Sequence, residues 1–116
     1  MIIVKAGVAL ENLGKLDEAE KLYKAALEKN ILSTEILNNL GRINFIKGQM
    51  QPAEKFWIAS VQASRTNFES QFNLGVLYLK QGKFRESLEA FLKAKNISPN
   101  NPLIDDKIQE VKRKIE

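Results

Sequence analysis

The spacing of 34 residues between its glycines is the feature that most constrains how this chain folds. The sequence of 116 residues contains six glycines, and they fall into the two series Gly7, Gly41, Gly75 and Gly14, Gly48, Gly82. Residue size keeps the same step, being small at Ala19, Ala53, Ser87 and large at Tyr23, Trp57, Phe91. Self-similarity at a period of about 20 to 50 residues is typical of proteins built from stacked structural repeats.

Each window of 34 residues predicts a pair of helices. In the second window, apolar residues follow helical spacing through Ile36, Leu40 and Ile43, and Gly48 then stops the pattern. Glycine suits the left-handed conformation that commonly follows the last turn of a helix. A new helical pattern begins beyond it with Pro52 in its first turn, where proline is tolerated. The three windows therefore predict six helices in three pairs.

This pattern resembles the tetratricopeptide repeat family over residues 1 to about 101. The matching residues of the third window are Leu74, Gly75, Tyr78, Gly82, Phe84, Phe91, Ala94 and Pro99. The resemblance implies a single all-α domain, an α-solenoid of three helix-turn-helix units at about 1–33, 34–67 and 68–101. Ile31 and Arg65 depart from the family, which usually has proline at these two positions.

The first glycine series lies inside predicted helices, where glycine costs about 0.5–1 kcal/mol relative to alanine. We expect Gly7, Gly41 and Gly75 to face the second helix of their own repeat, opposite the small residues at 19, 53 and 87. The two helices can then approach closely. The large residues at 23, 57 and 91 are expected to fill the gap towards the next repeat, because a helix pair has no core alone.

The last segment, from 102 to 116, predicts a seventh helix that covers the third repeat. Asn101 is suited to the position before a helix, and Pro102 to its first residue. The apolar stripe of this helix is Ile104, Ile108, Val111 and Ile115. Acidic residues lie near its start and basic residues near its end, which complements the helix dipole. We expect these charges to form a solvated face and not a metal site.

The composition excludes most kinds of chemistry. The chain contains no cysteine and no histidine, which rules out disulfides, histidine-dependent catalytic triads and the usual zinc ligand sets. We predict no enzyme activity, no cofactor and no metal, and we expect acidic neighbours such as Glu18 and Glu20 to be solvated. No apolar run is long enough to span a membrane. The lack of cysteine fits the cytoplasm without excluding an extracytoplasmic location.

The formal net charge of +4 is small, and lysine and arginine are spread along the chain without a cluster. That is a weak footprint for nucleic acid, so no nucleic-acid partner is expected. A sequence pI of about 9.4 nevertheless leaves an RNA-binding helical repeat as one alternative function. A homo-oligomerisation domain is another.

The resemblance implies that function lies in a concave groove lined by the first helices of the repeats. Such a groove binds a peptide or a partner helix, so the main prediction is a protein–protein interaction module. The expected groove residues are Val8, Asn12, Asn38, Asn39, Arg42, Phe45, Ile46, Phe72, Asn73, Val76, Leu79 and Lys80. Those at 45, 46, 72, 76 and 79 are apolar beyond what the helical stripe requires. They form either an exposed binding patch or contacts buried between neighbouring first helices.

Asn39 and Asn73 occupy equivalent positions, and a carboxamide offers a peptide main chain both a donor and an acceptor. The resemblance implies a two-rung asparagine ladder, because Lys5 stands at the equivalent position of the first repeat; solvated asparagines are the alternative. Some family members clamp a C-terminal carboxylate with lysine, arginine and asparagine. Four of those five positions differ here, including Val4 and Val8, so the resemblance does not extend to that activity.

The chain opens part-way into its first predicted helix with Ile2, Ile3 and Val4. Terminal repeats normally carry a polar outer face. We therefore expect either that the chain is part of a longer protein with an upstream repeat, or that residues 1–30 pack against another copy. Both possibilities predict that the concentrated protein self-associates through residues 1 to about 30.

Overall fold

The computed structural model describes residues 2–31 and 33–116, and within these ranges the chain forms seven α-helices and no strand. The helices are α1 (Ile2–Asn12), α2 (Leu16–Glu28), α3 (Thr34–Ile46), α4 (Met50–Ala63), α5 (Phe68–Lys80), α6 (Phe84–Ile97) and α7 (Pro102–Ile115). Each helix packs on the next in chain order, and the stack measures 44 × 26 × 22 Å. The predicted all-α solenoid with a seventh, C-terminal helix is confirmed.

Each helix pair is joined by a tight turn at a glycine of positive φ, namely Gly14 (77°), Gly48 (79°) and Gly82 (76°). In the second turn the Gln49 amide donates to the carbonyl of Asn44 at 2.8 Å, and the Gly48 amide donates to the carbonyl of Phe45 at 3.0 Å. This pair of bonds is a Schellman motif, which satisfies carbonyls at the end of α3. The predicted role of these glycines in ending helices is confirmed.

The other glycine series lies beneath aromatic rings. A Cβ atom added at Gly41 would stand 2.3 Å from Nε1 of Trp57. The equivalent glycines lie similarly close to the rings of Tyr23 and Phe91. The predicted close approach of the two helices is confirmed, and Ser87 lies against Gly75 as expected, its hydroxyl donating to the Gly75 carbonyl at 2.7 Å. The ring beside each glycine was expected to point towards the next repeat and not at the glycine. The large residue of each second helix lies against the glycine, because the missing side chain leaves room for a ring.

The repeat register also determines how each repeat packs on the one before it. Three positions of each later first helix, spaced by four and three residues, are buried at the junction: Ile36, Leu40, Ile43 in α3; Ser70, Leu74, Leu77 in α5; and Ile104, Ile108, Val111 in α7. Hydrophobic clusters form at all three junctions. The predicted apolar stripe of α7 is thus confirmed over its first three members, whereas Ile115 is 41% exposed.

Three helix starts are fixed by side chains that are again 34 residues apart. Backbone amides donate to Ser33 Oγ at 3.4 Å in α3, to Asn67 Oδ1 at 2.9 Å in α5 and to Asn101 Oδ1 at 3.0 Å in α7. These caps satisfy amides that a helix start leaves without partners. The capping role predicted for Asn101 is confirmed, and Ser33 and Asn67 act in the same way.

The loop after α2 differs from those after α4 and α6. Asn30 has a φ of 61°, and the amide of Ile31 donates to the carbonyl of Ala26 at 3.0 Å. Ser64 and Ser98, which end α4 and α6, have φ values of −147° and −133°. The first repeat is therefore connected to the second by a left-handed turn, and the later connections leave their helices in an extended conformation.

Candidate functional site

The predicted groove residues belong to α1, α3 and α5, the first helices of the three repeats. In α3, Asn39, Arg42 and Ile46 are spaced by three and four residues and so share one side of the helix. Equivalent positions of the neighbouring helices continue this surface. We call it the first-helix face and define it by Val8, Asn12, Arg42, Phe45, Ile46, Asn73, Val76 and Lys80.

Four side chains from the first two repeats form a closed ring of hydrogen bonds beside this face. Arg42 donates through Nη1 to Asn39 Oδ1 at 3.0 Å, and Asn39 Nδ2 donates to the Tyr23 hydroxyl at 3.2 Å. That hydroxyl donates to Glu11 Oε2 at 2.9 Å, and Arg42 Nη2 closes the ring by pairing with Glu11 Oε1. Both ends of the Asn39 carboxamide are therefore occupied.

The ring keeps the Tyr23 hydroxyl protonated over a wide pH range. Burial, and then the hydrogen bond to the Glu11 carboxylate, raise the pKa of Tyr23 to about 12. Both effects disfavour a negative phenolate at this position. Tyr23 is thus a neutral donor to Glu11, and the carboxylate is free to pair with Arg42.

A second polar network connects α3 with α5. Asn38 Oδ1 accepts from Asn73 Nδ2 at 3.0 Å and from Ser70 Oγ at 3.0 Å. Ser70 Oγ also lies 2.8 Å from Ser60 Oγ, which donates to the Thr34 carbonyl at 3.2 Å. Every buried side-chain nitrogen and oxygen of the described residues has a hydrogen-bond partner. The network is therefore a satisfied structural element and not an empty polar site.

The structure corrects the prediction for two of the asparagines. Asn38 is 3% and Asn39 8% exposed, so neither presents a free carboxamide to a ligand. The sequence placed them on the groove surface because their helical positions allowed it, but their partners in other helices cover them. Asn73 is half-buried and has one bond, through Nδ2. The expected two-rung ladder is thus reduced to a single accessible asparagine.

The predicted apolar groove residues divide into covered and open ones. Phe72, Val76 and Leu79 are half-buried and pack against the cluster beneath α7. Phe45 is half-buried against the cluster of α4 and α5. Ile46 is 58% exposed. The alternative of burial between neighbouring helices therefore describes most of these residues, and a smaller open apolar area remains.

The open part of the first-helix face is framed by polar groups. The Lys80 Nζ atom stands 5.2 Å from the centre of the Phe45 ring, within the range of a cation–π contact. Val8 is 37% exposed, and Asn12 is also exposed. The face therefore combines a few apolar side chains with hydrogen-bonding groups, as small recognition surfaces do.

Glu11 is a member of the ring that the sequence analysis missed. Its equivalents in the later repeats are Phe45 and Leu79, so a carboxylate stands where the pattern otherwise has a large apolar side chain. That break in the register is the signal that points to it. Its partner Arg42 is equivalent to Val8 and Val76, a second charge in an otherwise apolar series.

The described residues hold no group of three or more acidic side chains placed to bind a metal ion. Within the same ranges no helix is both long and apolar enough to cross a membrane.

Comparison with known sequences identifies the repeat. Profiles described as tetratricopeptide repeat match residues 4–67 and 68–101. Tetratricopeptide repeat protein 7A of Homo sapiens is 28% identical over 103 residues, which cover 89% of this chain and 12% of that protein. The chain thus spans a small part of the length of the curated relative that it matches.

Solved structures share the fold at low sequence identity. The first such repeat domain of Spaghetti (RPAP3), bound to the HSP90 peptide SRMEEVD, has a TM-score of 0.91 at 17% identity, over 98% of this chain and 90% of that one. The Yersinia enterocolitica type III secretion chaperone SycD, in complex with a peptide of the translocator YopD, has a TM-score of 0.90 at 16% identity, over 98% and 92%.

Proposed function

The chain belongs to the tetratricopeptide repeat family, and we propose that it is a protein-interaction module whose first-helix face binds a peptide or a partner helix. Members of this family are protein-interaction scaffolds and are generally not enzymes. We assign this chain no catalytic step of its own. Its contribution is a shaped surface held by stacked helices.

The observation that carries the proposal is the exposure of Ile46 and Val8 on a face where hydrogen bonds hold Arg42 and Asn73. Ile46 is 58% and Val8 37% exposed, and stacking of the repeats leaves both open. The ring that contains Arg42 and the network that contains Asn73 hold these side chains in place. A rigid surface loses little conformational entropy when a ligand binds.

The peptides in the two structural neighbours support the class of ligand, because both are peptides held by the same fold. They do not define its sequence. Val4 and Val8 stand where the family clamp for a terminal carboxylate has lysine and asparagine, and Arg42 is already paired with Glu11. We therefore propose a ligand that makes apolar contacts with Ile46 and hydrogen bonds with Asn73, without a required terminal carboxylate.

The test is selection of peptides from a displayed random library on the immobilised protein, followed by affinity measurements with two variants. Ile46→Asp should weaken the selected peptides about tenfold, which corresponds to about 1.4 kcal/mol. Leu103→Asp is the matched control, because Leu103 is an exposed leucine of α7, and it should leave affinity unchanged. Equal affinity for the wild type and the Ile46 variant would refute the proposal.

Self-association is a second candidate, and an exposed apolar stripe on α1 and the turn after it favours this candidate. Ile2, Ala6, Ala9 and Leu13 are exposed, with Ile2 at 84% and Leu13 at 70%. The first three of these positions are equivalent to those that α3 buries against the first repeat. This stripe lies in the 1–30 segment predicted from the sequence, of which residue 1 falls outside the described residues.

Sedimentation velocity over a range of concentrations tests this candidate. Ile2→Lys combined with Leu13→Lys should shift a concentration-dependent equilibrium towards monomer. Because both side chains are exposed, their replacement should have little effect on folding stability. A wild-type protein that is monomeric at every concentration would exclude self-association and leave peptide binding unaffected.

A further inference from the structure

A hollow of about 480 Å³ lies between α6 and the last turn of α7. Arg85, Leu88, Leu92 and Lys93 line it from α6, and Ile115 lines it from α7. Because α6 is the second helix of its repeat, this hollow is separate from the first-helix face. We call it the α6–α7 hollow.

The floor of the hollow is more apolar than the repeat requires. Leu88 stands where the two earlier repeats have Glu20 and Glu54. It packs partly against the cluster beneath α7. Leu92 and Ile115 beside it are 43% and 41% exposed, so two large apolar side chains remain accessible next to a third.

The shape of the hollow suits a helix. Its lining residues Arg85, Leu88, Leu92 and Asn96 follow α6 at spacings of three, four and four residues. They therefore form a strip along three turns of the helix, about 16 Å in length. A helix of about eleven residues laid along this strip satisfies its own backbone groups while its apolar side enters the hollow.

The rim of the hollow is positively charged. An adjoining depression shares Arg85 and Ile115 and adds Lys83, Lys114 and the carboxylate of Glu86. Within residues 2–31 and 33–116, the three basic side chains of this rim form no ion pair. Lys93 is different, because it pairs at 3.2 Å with Glu89, whose carboxylate also lines the hollow. Three free cations against one carboxylate leave an excess of positive charge.

We propose that the α6–α7 hollow is a docking surface for an amphipathic helix of a partner protein, with acidic residues on both sides of its apolar face. The exposed leucine and isoleucine receive the apolar face. The basic rim attracts the acidic flanks and discriminates against basic helices.

The probe is a fluorescein-labelled synthetic peptide of about 14 residues with leucines at helical spacing and glutamates elsewhere. A second peptide has lysine at every glutamate position. Fluorescence anisotropy is measured with the wild type, with Leu92→Glu and with Leu103→Glu. Leu103 is the matched control, because it is a more exposed leucine outside the hollow and its substitution adds the same charge. Circular dichroism verifies that both variants are folded.

We expect Leu92→Glu to weaken the acidic peptide at least about tenfold and Leu103→Glu to leave it within about twofold. The lysine peptide should bind the wild type at least about tenfold more weakly than the acidic one. The proposal is overturned by absence of binding, by equal losses in both variants, or by equal affinity for the two peptides. Self-association of the wild type that Leu92→Glu abolishes would also overturn it, because the occupant would then be a second copy. Ile46→Asp, which tests the first-helix face, should leave this binding unchanged.

Discussion

Between the first and second repeats the polar contacts are mainly ion pairs. Between the second and third they are mainly hydrogen bonds between neutral groups, together with bonds from Tyr78 to Glu54 and from Asn38 to Glu69. At the first junction Arg42 pairs with Glu11, and Lys47 pairs with Asp17 and Glu20. A hydrogen bond from the Lys47 ammonium, together with its charge, holds the pKa of Asp17 below its ordinary value. Lys47 and Asp17 lie near the surface, where water and salt weaken such pairs.

At the second junction Asn38, Ser60, Ser70 and Asn73 form the neutral network. Three of these four side chains are buried. Hydrogen bonds between neutral groups do not depend on ionic strength, but they require a well-defined geometry. When one partner is removed, the other is left as a buried polar group without a hydrogen bond, which is destabilising.

One repeat register is thus stabilised by two kinds of polar contact. Both junctions bury the same three positions of the later helix, but the first of these is Ile36 at one junction and Ser70 at the other. The apolar contribution therefore follows the period at the other two positions. The polar contribution comes from individual residues that differ from their equivalents in the other repeats. The stability of a repeat protein is the sum of terms for each repeat and for each contact between neighbouring repeats. Because the first junction depends on ion pairs near the surface, we expect the first repeat to unfold more readily than the third.

Gly41→Leu should abolish the difference between the junctions by disrupting the repeat that they share. Its added side chain meets Trp57, whose Nε1 lies 2.3 Å from an added Cβ. Overpacking costs about 1–3 kcal/mol and sometimes more. Gly48→Asn is the control, because asparagine tolerates positive φ and no atom lies within 4 Å of an added Cβ there. Urea unfolding should show a much larger loss for Gly41→Leu, and equal losses would contradict the assigned roles.

Asn38→Ala should weaken the second junction, and Asn39→Ala should weaken the first. Removing Asn38 leaves Ser70 and Asn73 without their shared acceptor, at a cost of about 1–3 kcal/mol. Removing Asn39 should cost less, because its partner Arg42 is 40% exposed and can bind water. Free energies of unfolding from urea titrations measure both changes. A larger loss for Asn39→Ala would reverse the proposed ranking.

High pH should weaken the first junction through Tyr23. An unfolded tyrosine ionises near pH 10, whereas in the folded protein the pKa of Tyr23 is about 12. Unfolding therefore releases a proton between these values, and stability falls as pH rises through that window. Tyr23→Phe should remove this part of the decline in urea midpoints between about pH 10 and about pH 12. Identical pH slopes for the variant and the wild type would show that Tyr23 does not contribute.

Added salt should have the smallest effect on stability, and it should weaken the first junction selectively. Raising NaCl from about 0.05 to about 0.5 M screens exposed ion pairs, each of which contributes about 0–1 kcal/mol. Amide hydrogen exchange should then accelerate in α1 and α2 relative to α5 and α6. A uniform change along the chain would mean that the ion pairs do not stabilise the first junction.

The helices, their order and the turns were predictable because they depend on patterns within one window. Helical spacing, the stopping glycines and the cap at Asn101 are local, and the period repeats them. The opposing partner of Gly41 was not predictable from size alone, because both Ala53 and Trp57 belong to the same helix. In the structure, the Trp57 ring lies against Gly41.

The binding face was predicted less well because its polar residues are bonded to distant ones. Asn39 reaches Tyr23, and Asn38 reaches Asn73. An asparagine on the outer side of a predicted helix looks identical whether water or another helix satisfies it. Glu11 and Arg42 were each detectable in principle as a charge in an apolar register, but their pairing was not.

The single tryptophan of the chain makes the second repeat optically distinct. The Trp57 indole is 2% exposed, donates to the carbonyl of Asn38 at 3.1 Å and lies 5.7 Å from the Phe45 ring. Its emission therefore originates in a dry, hydrogen-bonded environment at the centre of the stack. Loss of the first repeat alone should leave that emission blue-shifted, and a red shift should mark the moment when the middle of the solenoid separates.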